Sequence, residues 1–240
     1  MAISLLALVL GAVAVLLMPL SGFGYRIGLL PLQIALLQGM RWAAYLGLAA
    51  VLASVVALFL ARKRPAGRRA PLYAGVGLVL GLVAVVIPWN WQRQARSVPP
   101  IHDITTDIGN PPAFQAVVPL RADAPNTLDY DPKVGEQQRA GYPDITTLAL
   151  PINADAAFER AVALARDAGW EIVDANREAR RIEATDTTFW FGFKDDVVIR
   201  LTPEGSFTRV DMRSVSRVGR SDVGTNARRI REFLASLQAG

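Results

Sequence analysis

The stretch Arg213-Ser214-Val215-Ser216-Arg217-Val218-Gly219-Arg220-Ser221-Asp222-Val223-Gly224-Thr225-Asn226 holds the densest set of side chains with chemistry to offer. It runs off a strand-like segment into the start of a helical one. Ser214 and Ser216 share strand parity with Val210 and Met212, while Arg213 and Arg217 face the other side. Gly219 and Gly224 permit tight backbone, a helix N-terminus presents free N–H groups, and Arg217, Arg220 and Arg228 add charge. That combination suits an anion such as phosphate or carboxylate. Arg213, Ser214, Ser216, Arg217, Arg220, Ser221, Asp222 and Asn226, together with Asp186, are therefore the candidate ligand-binding residues. A purely structural reading stands beside this one. In it Ser221 or Asp222 caps the helix, Arg213 pairs with Asp186 or Asp211 across the sheet, and Arg228, Arg229 and Arg231 form a solvated helix face.

Catalytic patterns are weaker. His102-Asp103 with a serine would make a triad, but no nucleophile-elbow sequence accompanies them. Asp195 and Asp196 are adjacent, so in a strand they point to opposite faces. That argues against a paired-carboxylate acid/base site and for a polar turn. Asp103, Thr105, Thr106 and Asp107 offer oxygen ligands of the kind a hard cation takes. The sequence has no Gly-rich phosphate loop or dinucleotide fingerprint. With no cysteine and one histidine, thiolate chemistry and multi-histidine metal sites are excluded. No catalytic residue, metal ligand or cofactor is assigned.

Around these residues the period of the apolar positions predicts the elements. Phe158, Ala161, Val162, Ala165 and Ala168 repeat at helical spacing, with Asp155 to cap the start and Gly169 to stop it. Strand-like runs follow at Trp170–Asp174, Arg181–Phe193, Asp196–Thr202 and Phe207–Val218. Val197, Ile199 and Leu201 alternate as a half-buried strand requires, and Pro203–Ser206 reads as a hairpin turn. In the second run Ile182 and Ala184 occupy one parity and Phe189, Phe191 and Phe193 the other, which a bulge near Asp186–Thr188 would reconcile. Those three phenylalanines then pack inward, and Trp190 on the opposite face becomes a candidate contact with lipid or a partner. A last helix begins near Ser221 or Asp222, with Ala227, Ile230, Leu234 and Leu237 on one face. The order α-β-β-β-β-α predicts an α+β domain: a four-stranded antiparallel sheet with two helices on one face.

The first ninety-one residues are of another kind. Ile3–Leu20, Trp42–Ala61 and Leu72–Pro88 are uncharged apolar runs of 18, 20 and 17 residues, long enough at about 1.5 Å per residue to span most of a bilayer core. Trp89 and Trp91 follow the third, as an interfacial belt would place them. The first run lacks the basic start and cleavage site of a signal peptide, so it reads as a span. Residues 22–40, broken by Gly22, Gly24, Gly28 and Pro31, suggest an interfacial or re-entrant piece. None of the spans holds an ionisable residue, which argues against a transporter acting alone. Gly75, Gly77 and Gly81 would allow close helix approach, within the chain or to another membrane protein.

Charge sets the orientation. All 21 acidic residues lie after position 100, leaving the first hundred residues at +9 and the remainder at 17 basic against 21 acidic, or −4. Because the basic residues flank apolar runs, the net charge of +5 is no nucleic-acid signature. Arg62, Lys63, Arg64, Arg68 and Arg69 cluster in the 62–70 loop, which the positive-inside rule places in the cytoplasm. For a bacterial inner membrane this predicts a cytoplasmic N-terminus and a periplasmic C-terminal domain. The chain then divides into a transmembrane region at 1–91, a proline-rich linker and wrapping segment at 92–150 with short strands around Ala113–Leu120, and the α+β domain at 151–240.

Tyr142-Pro143, Arg181–Thr185, Phe193–Arg200 and the Arg213–Asn226 run together resemble the domain-of-unknown-function family 1499, in which the family domain begins near residue 100. The segment Pro99-Pro100-Ile101-His102-Asp103-Ile104-Thr105-Thr106-Asp107, behind several apolar helices, is similar to its membrane-bound bacterial subgroup. The resemblance implies domain boundaries and supplies no activity. The sequence thus points to a non-enzymatic module, anchored in the lipid bilayer and binding an envelope protein or an anionic head group. An enzyme acting on an envelope lipid or glycan, through Asp186, Arg217 and Asp222, is one alternative; an accessory subunit of a transport or biogenesis complex is the other.

Overall fold

Uninterrupted apolar sequence forms the first three helices. The computed structural model describes residues 1–63, 67 and 69–240, and these fall into two units: Met1–Gln94 with Phe189–Gly192, and Ala95–Thr188 with Phe193–Gly240. The first unit contains α1 (Ala2–Arg26), α2 (Met40–Lys63) and α3 (Arg69–Ser97). With a π-helical turn at Gln33–Gly39 leading into α2, the described chain has three helices long and apolar enough to cross a membrane. Residues 22–40 do not form a separate piece. The first of them complete α1, and the helix restarts just after Pro31, whose missing N–H and fixed φ suit a first helical turn. Gly77 and Gly81 serve packing within the chain: a Cβ on Gly77 would lie 2.7 Å from the Ala7 carbonyl carbon, and one on Gly81 would lie 2.7 Å from the Gly47 carbonyl oxygen. Gly75 faces open space. Arg64 and Arg68 of the basic loop lie outside the described residues.

The second unit is built on an antiparallel sheet of β1 (Asp103–Thr105), β2 (Leu148–Leu150), β3 (Glu171–Asn176), β4 (Arg181–Thr187), β5 (Lys194–Glu204) and β6 (Phe207–Ser216). The order is β1-β6-β5-β4-β3, with β2 also on β6. Six strands, rather than the expected four, make the sheet. The extra two lie end to end along one edge of β6, β1 opposite Arg213–Val215 and β2 opposite Thr208–Val210. Three residues are too few to show a two-residue period, so both were hidden in the proline-rich segment. Ala113–Leu120 forms no strand; Val118–Arg121 is a single 3-10 turn.

Helices α5 (Ala154–Asp167) and α6 (Thr225–Ala239) pack on one face of the sheet. Phe158, Ala161, Ile230 and Phe233 meet Ile182, Val197, Ile199 and Met212 in the main core. Asn153, not Asp155, caps α5, its side chain accepting from the Ala156 N–H at 2.8 Å. On the opposite face Phe114 and Val117, from the irregular segment, cover Val198 and Val215. A short helix, α4 (Pro132–Gly141), follows that segment. Its Gln138 trades two hydrogen bonds with the Thr105 backbone.

The β4 strand ends at Thr187, six residues before the expected Phe193, and no bulge is needed at Asp186–Thr188. The Thr188 N–H donates to the Phe193 carbonyl, closing a turn that leaves Phe189 and Trp190 exposed rather than packing Phe189 inward. The register irregularity lies instead in β3, between Ile172 and Asp174.

Candidate functional site

Pleating sends the neighbours Asp195 and Asp196 to opposite faces at the same end of the sheet, as their spacing requires. Both are buried rather than part of an exposed polar turn. Each anchors a charge cluster, and the two clusters divide most of the candidate residues between them.

On the helix-covered face, Arg229 of α6 is the hub. Its guanidinium donates to Asp186 at 2.6 and 3.0 Å, to Asp195 at 2.7 Å, to the Ser214 hydroxyl at 3.0 Å and to the Asn226 carbonyl oxygen at 2.5 Å. Arg229 is 6% exposed, so it is no part of a solvated helix face, unlike Arg228. Asn226 completes the knot: it accepts from Ser214 at 2.7 Å and donates to Ser216 at 3.0 Å and to the His102 carbonyl at 2.9 Å. Ser214 and Ser216 therefore occupy the apolar face as hydrogen-bonding groups.

Asp222 leads into α6 through an Asx-type cap, accepting from the Gly224 and Asn226 N–H groups at 2.8 and 2.6 Å. Ser221 accepts from the Val223 N–H at 3.2 Å. Burial raises the Asp222 carboxyl above its ordinary value, against those N–H groups and Arg229, and the charge of Asp195 pushes the same way. Between the cap and the helix, Val223 sits at φ +55°, a conformation that costs a β-branched residue about 1–3 kcal/mol. Three carboxylates, Asp186, Asp195 and Asp222, thus face a single guanidinium here, which is unfavourable for an anion.

The loop-covered face has the opposite balance. Asp196, fully buried, accepts a fork from Arg217 at 2.8 and 2.9 Å, a bond from Arg121 at 2.5 Å and one from the Thr185 hydroxyl at 2.7 Å. Burial acts to raise its carboxyl, and these donors overcome it, holding Asp196 below the usual carboxylate value. Two guanidiniums share one carboxylate, and Arg217 keeps 16% of its side chain exposed. Arg220 is exposed beyond them. Arg213 is spent internally: it binds Asp103 in a bidentate pair at 2.7 and 2.9 Å, reaches the Leu128 carbonyl at 2.8 Å, and lies over the Phe114 and Tyr130 rings. Its partner is neither Asp186 nor Asp211, because β1 brings Asp103 directly beside β6. A groove of about 470 Å³ opens here, lined in part by Phe114, Val118, Leu128, Arg121 and Arg213.

Other oxygens named in the sequence are engaged as well. Thr106 donates to Asp211, and Asp107 pairs with Arg200 and caps the Gly109 and Asn110 N–H groups. Among the described residues no cluster of histidine, cysteine or carboxylate side chains is arranged to hold a metal ion. The His102 imidazole lies 3.5 Å from the Arg220 carbonyl. Sequence reasoning missed Arg121, Arg229 and Asp196 as members of the clusters. Strand parity could have flagged Asp196, whereas Arg121 sits in an irregular segment with no period to read.

A family model described as a protein of unknown function, DUF1499, matches residues 103–237. That span holds both clusters and every strand of the sheet. No curated protein matches the chain.

Proposed function

We propose, for a chain that belongs to the DUF1499 family of proteins of unknown function, a non-enzymatic role as an inner-membrane-anchored module that binds an anionic group of an envelope component. Its three apolar helices anchor it, with the N-terminus in the cytoplasm and the C-terminal domain in the periplasm. The charge asymmetry of the flanking loops supports that orientation. The observation that carries the binding reading is the sharing of Asp196 by Arg121 and Arg217. One carboxylate neutralises one guanidinium, so a positive charge is left over beside partly exposed Arg217 and exposed Arg220. A phosphate or carboxylate head group at the exposed edge of Arg217 supplies the missing negative charge.

The helix-covered cluster does not favour the enzymatic alternative. Both Asp222 oxygens serve the α6 cap, and Asp186 is held by Arg229. Titration of the detergent-solubilised full chain with glycerol phosphate, by calorimetry, tests the proposal. Binding should weaken roughly tenfold in Arg220→Ala, the loss of one charge-assisted contact. Arg220 is exposed and its side chain makes no hydrogen bond or ion pair among the described residues, so that variant keeps the fold. Absence of binding by the unaltered chain, or unchanged affinity in Arg220→Ala, would overturn it.

A further inference from the structure

The aromatic turn Phe189-Trp190-Phe191-Gly192 has no part in either charge cluster. Its base is fixed: Thr188 and Phe193 exchange two hydrogen bonds of 2.9 Å, one of them through the Thr188 hydroxyl. Its tip is apolar and open. Phe189 is 68% exposed and Trp190 52%, although large aromatic side chains of this kind are ordinarily buried or given a partner.

These four residues belong to the unit of apolar helices. Within it Phe23, near the C-terminal end of α1, meets the Phe189 ring edge-on at 6.1 Å and the Trp190 ring at 5.7 Å. The Arg26 guanidinium donates to the Phe189 carbonyl at 2.6 Å. Gly192, at φ +65°, lets the backbone pass Arg26 so closely that a Cβ would lie 2.9 Å from its Cγ. Three successive crossings place the C-terminal end of α1, the N-terminal end of α2 and the C-terminal end of α3 at one membrane surface. Trp42 and Tyr45 stand at the second of these ends and Trp89 and Trp91 at the third, all of them exposed. Tryptophan, with an apolar body and a polar N–H, is the residue that settles at the boundary between head groups and acyl chains. Arg26 and Arg41 add cationic groups at the same ends, where lipid phosphates lie.

We infer that the Phe189–Gly192 turn lies in the bilayer interface, with the Phe189 and Trp190 rings inserted at the head-group boundary of the leaflet that holds Trp42, Trp89 and Trp91. The occupant of this exposed aromatic surface is lipid. The turn gives the molecule a membrane contact far along the chain from the three helices, and one independent of the anion-binding reading.

The absence of native cysteine makes the test direct. The full chain carrying Trp190→Cys is labelled with an environment-sensitive fluorophore and reconstituted into vesicles of phosphatidylethanolamine and phosphatidylglycerol. Ser206→Cys, in the turn at the opposite end of β5, is the reference. The expected result is a several-fold greater loss of fluorescence at 190 than at 206 with lipids spin-labelled near the head group, and several-fold weaker quenching by aqueous iodide. Phe189→Cys repeats the measurement with Trp190 in place, so that damage caused by one substitution does not decide the matter. Iodide quenching at both 189 and 190 equal to that at 206 overturns the inference. So does a label shielded from iodide and from the spin-labelled lipid alike, which would mean that protein covers the turn.

Discussion

The two faces of the sheet in the second unit are closed by different physics. The helix-covered face is apolar along most of its length, and charge gathers only at the end where Arg229 meets Asp186 and Asp195. The loop-covered face carries buried charge throughout, from Glu183 and Asp196 to Arg213. A helix arrives with its backbone already hydrogen-bonded and presents only side chains. An irregular segment arrives with unpaired N–H and C=O groups that must be matched once buried. The strands match them with charged side chains. Glu183 accepts from the Gln115 and Val117 N–H groups at 2.9 and 3.0 Å, and Arg217 and Arg213 donate to the Leu120 and Leu128 carbonyls at 2.9 and 2.8 Å. Much of the buried charge on that face is therefore the counterpart of a cover without regular secondary structure.

This comparison can be broken by experiment. The largest effect is expected from Asp196→Ala, which leaves Arg217 and Arg121 without their shared carboxylate. A loss of about 3–5 kcal/mol in a denaturant titration followed by near-ultraviolet circular dichroism matches an unpaired buried charge, and a loss under 1 kcal/mol would show that the ion pairs are incidental. Next, Arg213→Met should cost about as much alone, and adding Asp103→Leu should recover most of it. Failure to recover would mean that the loop carbonyls, rather than Asp103, are what Arg213 is there for.

Acid separates the faces by sign. The Asp196 carboxyl is held below its ordinary 3.8, so its stabilisation is present above that value and is lost as the pH falls through the lower folded value. Asp222, raised in the fold, contributes stability that is full below 3.8 and is lost as the pH rises through its folded value. Asp222→Asn should therefore flatten the stability profile on the high-pH side, and Asp196→Asn on the low-pH side. The smallest effect is a gain: Val223→Gly relieves the left-handed conformation and should stabilise the chain by about 1 kcal/mol. A loss there would mean that the Val223 side chain contributes packing worth more than the strain.

Much of the fold was legible in the sequence because it is local. Apolar runs without charge form the three long helices, and alternation from Val197 to Leu201 marks β5 and its inward face. The same alternation separates Asp195 from Asp196 correctly. It failed at Phe189–Phe193, where aromatic residues imitate a strand but a turn intervenes. It also failed at β1 and β2, which are too short to carry a period. The candidate residues lie in the right region, yet their partners were not readable. Asp103 and Arg213 are 110 positions apart and Arg121 and Asp196 75, and no local pattern records which distant guanidinium a carboxylate will meet.

By itself, then, the sequence determined the helices long and apolar enough for a membrane, which positions of β5 face the helices, and the family of the second unit; the alternate positions of that strand, read as half-buried, are covered as well. Each follows from interactions within a few residues, or from a run of side chains that physics reads one at a time. Only the tertiary structure decided that the proline-rich segment is part of the sheet and its cover, and that most of the polar side chains of the Arg213–Asn226 run have partners inside the protein, Asp103 for Arg213 and Asp196 for Arg217 among them. Burial makes that pairing obligatory, because a charge or hydroxyl taken out of water must find a partner wherever the folded chain brings one.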